Sequence, residues 1–172
     1  MQADSRRQNI IQVLKSASGP VSAGRFAGMF GVSRQIIVGD IALLRASGTD
    51  ITATPRGYIL TRSSEGIVHR IPCRHRPEDM KEELEILVDN GCLVRDVIVE
   101  HPIYGQLVGQ LDISTRHNVS EFITQVALSD AAPLSDLTGG IHLHTIICPD
   151  EETHLRVLEK LRKRGFLFED HN

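Results

Sequence analysis

Along the first sixty residues the apolar positions recur at helical spacing and are broken by turn residues. Ser5 precedes Ile10, Ile11, Val13 and Leu14, which predicts a helix of about 14 residues ending near Ser18-Gly19-Pro20. Ser22 suits the N-cap of a shorter helix carrying Phe26, Ala27 and Phe30. Gly31-Val32-Ser33 then supplies a helix-ending glycine, an apolar turn position and a new cap, the corner of a helix-turn-helix. A third helix from Arg34 to about Ala46 puts Ile37, Ile41 and Leu44 on one face. Its other face begins with Arg34, Gln35 and Val38, where base-reading side chains sit in this motif. Beyond Gly48, the stretch from Ile51 to Leu60 alternates around Pro55-Arg56-Gly57, as in a two-stranded wing.

After Gly66 the pattern changes to strands alternating with helices. Ile67 to Arg74 alternates as a strand, Pro77 to Asn90 is helical and stops at Gly91, and Leu93 to Glu100 is apolar and β-branched. His101-Pro-Ile-Tyr-Gly105 turns the chain into a strand from Gln106 to Ser114. A helix at Val119 to Leu128, a strand at Ile141 to Cys148 and a helix at Asp150 to Arg164 follow. The fold class expected is therefore α+β. A winged helix-turn-helix spans 1–62, and a ferredoxin-like βαββαβ domain with an added C-terminal helix spans 66–172. In that frame the first and fourth strands are antiparallel neighbours.

Composition agrees with two small folded domains: 172 residues are 41% hydrophobic and 24% charged, with no run of the roughly 18 apolar residues a membrane span needs. The start lacks the apolar stretch of a secretory signal, so a cytoplasmic protein is expected. Cys73, Cys92 and Cys148 are odd in number and widely spaced, which predicts reduced thiols. The net charge of -3 hides an asymmetry. Residues 1–62 carry eight basic side chains against three acidic, for +5, while the remainder has 11 against 19, for −8. A basic domain joined to an acidic one points to a polyanion reader at the N-terminus. Ordinary solvated faces on a protein-binding helical domain are the alternative.

The histidines of the second domain carry the candidate chemistry. His142 and His144 are two apart on a strand and share a face. His75 closes the first strand, and antiparallel pairing brings it beside the start of the fourth. On the helix after Pro77 the apolar stripe is Met80, Leu84 and Leu87, and of the nearby glutamates only Glu83 leans toward the sheet. Three imidazoles and a carboxylate suit zinc, nickel or iron, and are too nitrogen-rich for calcium or magnesium. Spacing alone leaves open polar residues on a solvated sheet face. Cys73 and Cys148 share the alternation of the histidines, either as neighbours of an ion or as small core residues.

Two resemblances sharpen this. From Arg7 to Tyr58 the chain resembles the winged helix-turn-helix of the biotin-repressor type, which implies that Ser33, Arg34 and Gln35 contact DNA from the recognition helix and Arg56 from the wing. Gly39 departs from it, since relatives hold a long polar side chain there. Over about residues 6–166, V-S-R-Q-I-I-V-G-D-I, R-H-R-P-E-D-M-K-E-E-L, V-E-H-P-I-Y-G and I-H-L-H together resemble the niacin-responsive transcription repressors, which join that winged helix to a three-histidine (3H) domain. The resemblance implies a repressor of genes for making or importing the nicotinate precursor of NAD, with nicotinic acid as corepressor. It carries the metal ligands onto His75, Glu83, His142 and His144, and directs attention to His101 and Tyr104 for effector contacts. Its expected partners are a double-stranded operator and a second copy of the chain, because palindromic half-sites match a two-fold protein. The rivals are a metal-dependent enzyme acting on a small acid, with no phosphate loop or nucleophile elbow in its favour, and a repressor sensing another ligand or the metal itself.

Overall fold

A computed structural model describes residues 2–60 and 66–169. Arg62 and residues 63–65, where the domain boundary is expected, and His171 lie outside the described residues. By its internal contacts the chain divides into two compact units, residues 1–63 and 64–172.

In the first unit, α1 (Ala3–Ser16), α2 (Ala23–Phe30) and α3 (Arg34–Ala46) precede the hairpin β1 (Ile51–Thr54) and β2 (Gly57–Leu60). Helix α1 starts before the expected Ser5, with Asp4 in its first turn, where the helix dipole favours a carboxylate. Ser22 and Ser33 cap α2 and α3, accepting N–H bonds from Arg25 and Ile36, and Gly31 ends α2 in the left-handed region at φ 64°. The two helices meet at 106°, within the roughly 90–120° of helix-turn-helix pairs. Ile10, Leu14, Phe26, Ile37, Ile41 and Leu44 are buried together. Truncating one such leucine or isoleucine to alanine typically costs about 2–5 kcal/mol.

Two polar features complete this unit. Arg6 and Asp40 are both buried, with Arg6 Nε 2.6 Å from Asp40 Oδ2, so a cation counted toward the basic balance instead ties α1 to α3. The wing docks on the α1–α2 loop through reciprocal Val21 and Tyr58 backbone bonds of 2.9 Å. At Gly57, φ 135°, a Cβ would stand 2.6 Å from the Val21 carbonyl, so only glycine fits.

The second unit runs β3 (Ile67–Arg74), α4 (Met80–Asp89), β4 (Leu93–His101), β5 (Gly105–Ile113), α5 (Arg116–Leu128), β6 (Ile141–Cys148) and α6 (Glu151–Arg164). Pro77–Asp79 is a 3-10 turn leading into α4, and Leu134–Thr138 forms another that the sequence did not signal. Helix α5 begins three residues earlier than expected, because Thr115 caps it by accepting the Asn118 N–H. The α+β order is as expected, and β3 and β6 pair antiparallel. One detail differs from a ferredoxin-like sheet. The order is β3-β6-β4-β5, so the fourth strand, not the third, fills the gap of the split βαβ unit. That makes β6 central, and its helix-facing side chains are covered.

The core gathers Ile71, Leu84, Leu87, Val94, Ile113, Val119, Ile146, Val157 and Leu161, drawn from one face of the sheet and all three helices. After α6 the chain turns at Gly165 and runs along the end of β3: Arg74 N–H donates to Phe166 O and Phe168 N–H to Pro72 O.

Candidate metal centre and nucleic-acid interface

On β6, His142 and His144 point toward the helices, opposite Cys73 and Ile71 of β3. His75 follows β3 directly, and Glu83 is carried in by the buried stripe of α4. The Glu83 carboxylate, 1% exposed, is the hub. His75 Nε2 lies 2.7 Å from its Oε2, His144 Nε2 3.3 Å from the same oxygen, and His142 Nε2 3.2 Å from Oε1. All four expected ligands thus come together in the covered interior.

The opposite edge of each ring shows what the cluster can hold. His75 Nδ1 is 2.7 Å from Arg76 O, His142 Nδ1 2.8 Å from Gly140 O and His144 Nδ1 2.7 Å from Asp96 O. A carbonyl only accepts, so each Nδ1–H donates to it, and a ring without a second proton turns an Nε2 lone pair toward a carboxylate that also only accepts. Three lone pairs around a buried carboxylate are stable only with positive charge among them, either protons or a cation. Nδ1–H bonds to backbone carbonyls are also the outer contacts that orient metal-binding histidines. The donor set therefore fits a borderline transition ion.

The electrostatics agree. Burial works to raise the Glu83 pKa, but attraction to His144 and hydrogen bonds from His142, His144 and His75 outweigh it and hold the carboxyl well below the usual range. Burial works to lower His75 and His144, and the facing carboxylate reverses this, so both are raised. The site draws in positive charge.

Several supports were not legible beforehand. A bulge between Val94 and Asp96 turns the Asp96 carbonyl to His144, while Asp96 Oδ1 accepts the Thr145 N–H at 3.0 Å. Gly140, φ 91°, packs so tightly on His75 that a Cβ would lie 2.4 Å from its carbonyl oxygen. Adjacent glycines are a turn signal, but nothing in the sequence marks their contact with His75. The Cys73 sulfur lies within 4.8 Å of a ligand atom of Glu83 and of His142, and burial first, then Glu83, pushes its thiol well up. Cys148 is elsewhere, with its sulfur 3.1 Å from that of Cys92.

Two cavities border the cluster. One, about 390 Å³, is lined by Arg74, His75, Arg76, Asp79 and Phe166. The other, about 200 Å³ and mostly apolar, lies along Val99, Thr138, Ile141 and His142. His101 and Tyr104 occupy the β4–β5 turn, where His101 Nδ1 accepts the Ile103 and Tyr104 N–H bonds and the two rings are 4.9 Å apart. Tyr104 is 72% exposed.

In the first unit, Arg34, Gln35, Val38 and Gly39 are exposed on α3, while Ser33 uses its hydroxyl as the cap. Arg56 is half-buried in the wing turn, its N–H on Thr54 Oγ1.

Comparison with known proteins matches residues 68–170 to the 3H domain family and residues 6–59 to an HTH domain family. The chain is 45% identical to the "Probable transcription repressor NiaR" of Thermotoga maritima, across 96% of this chain and 94% of that protein. It is 39% identical to the "Transcription repressor NadR" of Bacillus subtilis, with the same coverage of both. These are transcription repressors, which sets aside the reading as a metal-dependent enzyme. A helix-turn-helix and a 3H domain in this order, with near full-length identity to NiaR and NadR, place the chain in the family of niacin-responsive transcription repressors.

Proposed function

We propose that this repressor closes a double-stranded operator at genes for making or importing the nicotinate precursor of NAD, as a cytoplasmic homodimer with nicotinic acid as corepressor. His75, Glu83, His142 and His144 would hold one divalent transition ion, nickel, zinc or iron. The observation that carries this reading is the ring orientation: three Nδ1–H groups fixed on carbonyls leave three Nε2 atoms facing one buried carboxylate.

When bound, the ion supplies positive charge and open coordination for a small acid. The chain supplies the rest. Arg74 and Arg76 line the cavity beside His75 together with Asp79, and their guanidinium groups are the candidates to pair with a carboxylate. The apolar cavity beside His142 suits an aromatic ring, and His101 and Tyr104 at the neighbouring turn are the candidates to close on it. Arg34 and Gln35 read base edges, Ser33 sets the start of the recognition helix, and Arg56 meets a phosphate or groove. Nicotinate regulates only if it prefers the dimer geometry that fits two half-sites, since equal affinity for both geometries shifts nothing.

Operator binding tests the reading, measured with and without nicotinate on the wild type and on His142→Ala. Nicotinate should tighten binding by the wild type alone, while basal, salt-sensitive binding survives in the variant. An unchanged nicotinate response in the variant would overturn it. Sedimentation should give a dimer at micromolar concentration, and a monomer with effector present would remove the two-fold operator model.

A further inference from the structure

A second group of metal-binding side chains lies at the other end of β3. His69 is on the helix-facing side of that strand, in register with Ile146 of β6. Helix α6 begins beside it, with Asp150 as N-cap, and delivers Glu151 and His154. His69 Nε2 is 3.2 Å from Glu151 Oε2, and His154 Nδ1 is 3.2 Å from Glu151 Oε1. The two imidazoles stack with centroids 3.5 Å apart and planes at 8°. Their side chains are 19% and 15% exposed, against 57% for Glu151.

As a packing contact alone this group is poorly arranged. His69 Nε2 is shut off from solvent, yet it has no hydrogen-bond partner, because the nearby carboxylate oxygen is out of line with it. One donor atom from each of the three residues lies within 4.8 Å of the other two. Two imidazole nitrogens and a carboxylate oxygen make the three-ligand set of an open transition-metal site, and the Glu151 side chain reaches solvent. The group shares no side chain with the buried centre: His69 pairs with Ile146, one helix-facing position along the sheet from the Ile71–His144 pair.

We propose that His69, Glu151 and His154 form a second, exchangeable site for a borderline divalent transition ion such as zinc. A shared ion lies in the plane of each imidazole, so loading turns the two rings out of parallel while β3 and α6 keep their places. The ion then clasps the start of α6 to the edge strand, at the opposite end of the helix from Phe166, whose ring packs on His75.

Zinc uptake by the chelator-stripped full chain, counted by mass spectrometry after equilibrium dialysis, tests this. Relative to the wild type, His154→Ala and Glu151→Gln should each lose one equivalent, with that equivalent's affinity weakened by more than about 100-fold. His142→Ala should keep it, so failure of the buried centre and failure of this site give different counts. Glu151 is exposed, and unchanged circular dichroism of Glu151→Gln would exclude misfolding as the cause. Uptake by His154→Ala and Glu151→Gln equal to that of the wild type would overturn the proposal.

Discussion

Replacing Glu83 by glutamine removes one charge and almost no volume from a side chain that is 1% exposed and faces three imidazoles. In the ion-free protein the change should be mild. Without the carboxylate the rings have no reason to take up protons, and the new amide can donate to one Nε2. The ion-free variant should therefore stay within about 2 kcal/mol of the wild type, below the roughly 3–5 kcal/mol for stranding one member of a buried pair. With ion present the two should diverge. An ion at about 1,000 times its Kd adds about 4.1 kcal/mol of stability. A 100-fold loss of affinity forfeits about 2.7 kcal/mol of that. Each kcal/mol moves the melting temperature of a domain near 100 residues by roughly 4–8 °C, so ion should raise the wild type over the variant by about 11–22 °C more than chelator does. Differential scanning calorimetry with nickel or with chelator measures this, and comparing the two proteins cancels any ion held elsewhere. Equal ion-induced shifts in wild type and Glu83→Gln would refute the reasoning.

Three further outcomes concern the first unit. Arg34→Ala should cost about 1–3 kcal/mol of operator affinity and relax specificity at one base position, while the second unit's metal content stays unchanged; electrophoretic shifts on variant operators and metal analysis check both. Arg56→Ala should weaken binding evenly across sequences and make the slope of log affinity against log salt shallower by about one, and an unchanged slope would mean that Arg56 does not neutralise a phosphate. Gly39 is exposed on α3 with no atom within 4 Å of an added Cβ, so Gly39→Ala should stabilise the protein by up to about 1 kcal/mol in denaturant titration. If the glycine serves close approach to DNA, the same variant will bind the operator less well.

What the sequence disclosed follows from how local each signal is. Gly31-Val32-Ser33 carries its own geometry, a left-handed glycine and a capping serine, so the helix-turn-helix corner could be read within three residues. The four-residue cluster needed one long-range inference, the pairing of β3 with β6, and the period of two on the strands with the 3.6-residue period on α4 then aimed each side chain. Periodicity does not show which strand lies between two others, so the position of β6 between β3 and β4 was not legible. The Asp96 bulge and the fit of Gly140 against His75 depend on backbone contacts across the fold, and no residue pattern announces them. His69 and His154, 85 residues apart, meet only because α6 begins over the edge of β3. Arg6 could be counted as a basic residue, yet its partner Asp40 lies two helices away.

Nicotinate control, as proposed, resides in the His75, Glu83, His142 and His144 centre once an ion is bound there. Isothermal calorimetry of nicotinate against the ion-loaded and the chelator-stripped protein tests it most directly, with nicotinamide as the uncharged comparison. Nicotinate should bind the loaded protein saturably and nicotinamide more weakly, with no detectable nicotinate binding to the stripped protein or to ion-treated His142→Ala. Equal nicotinate affinity in loaded and stripped protein would contradict it.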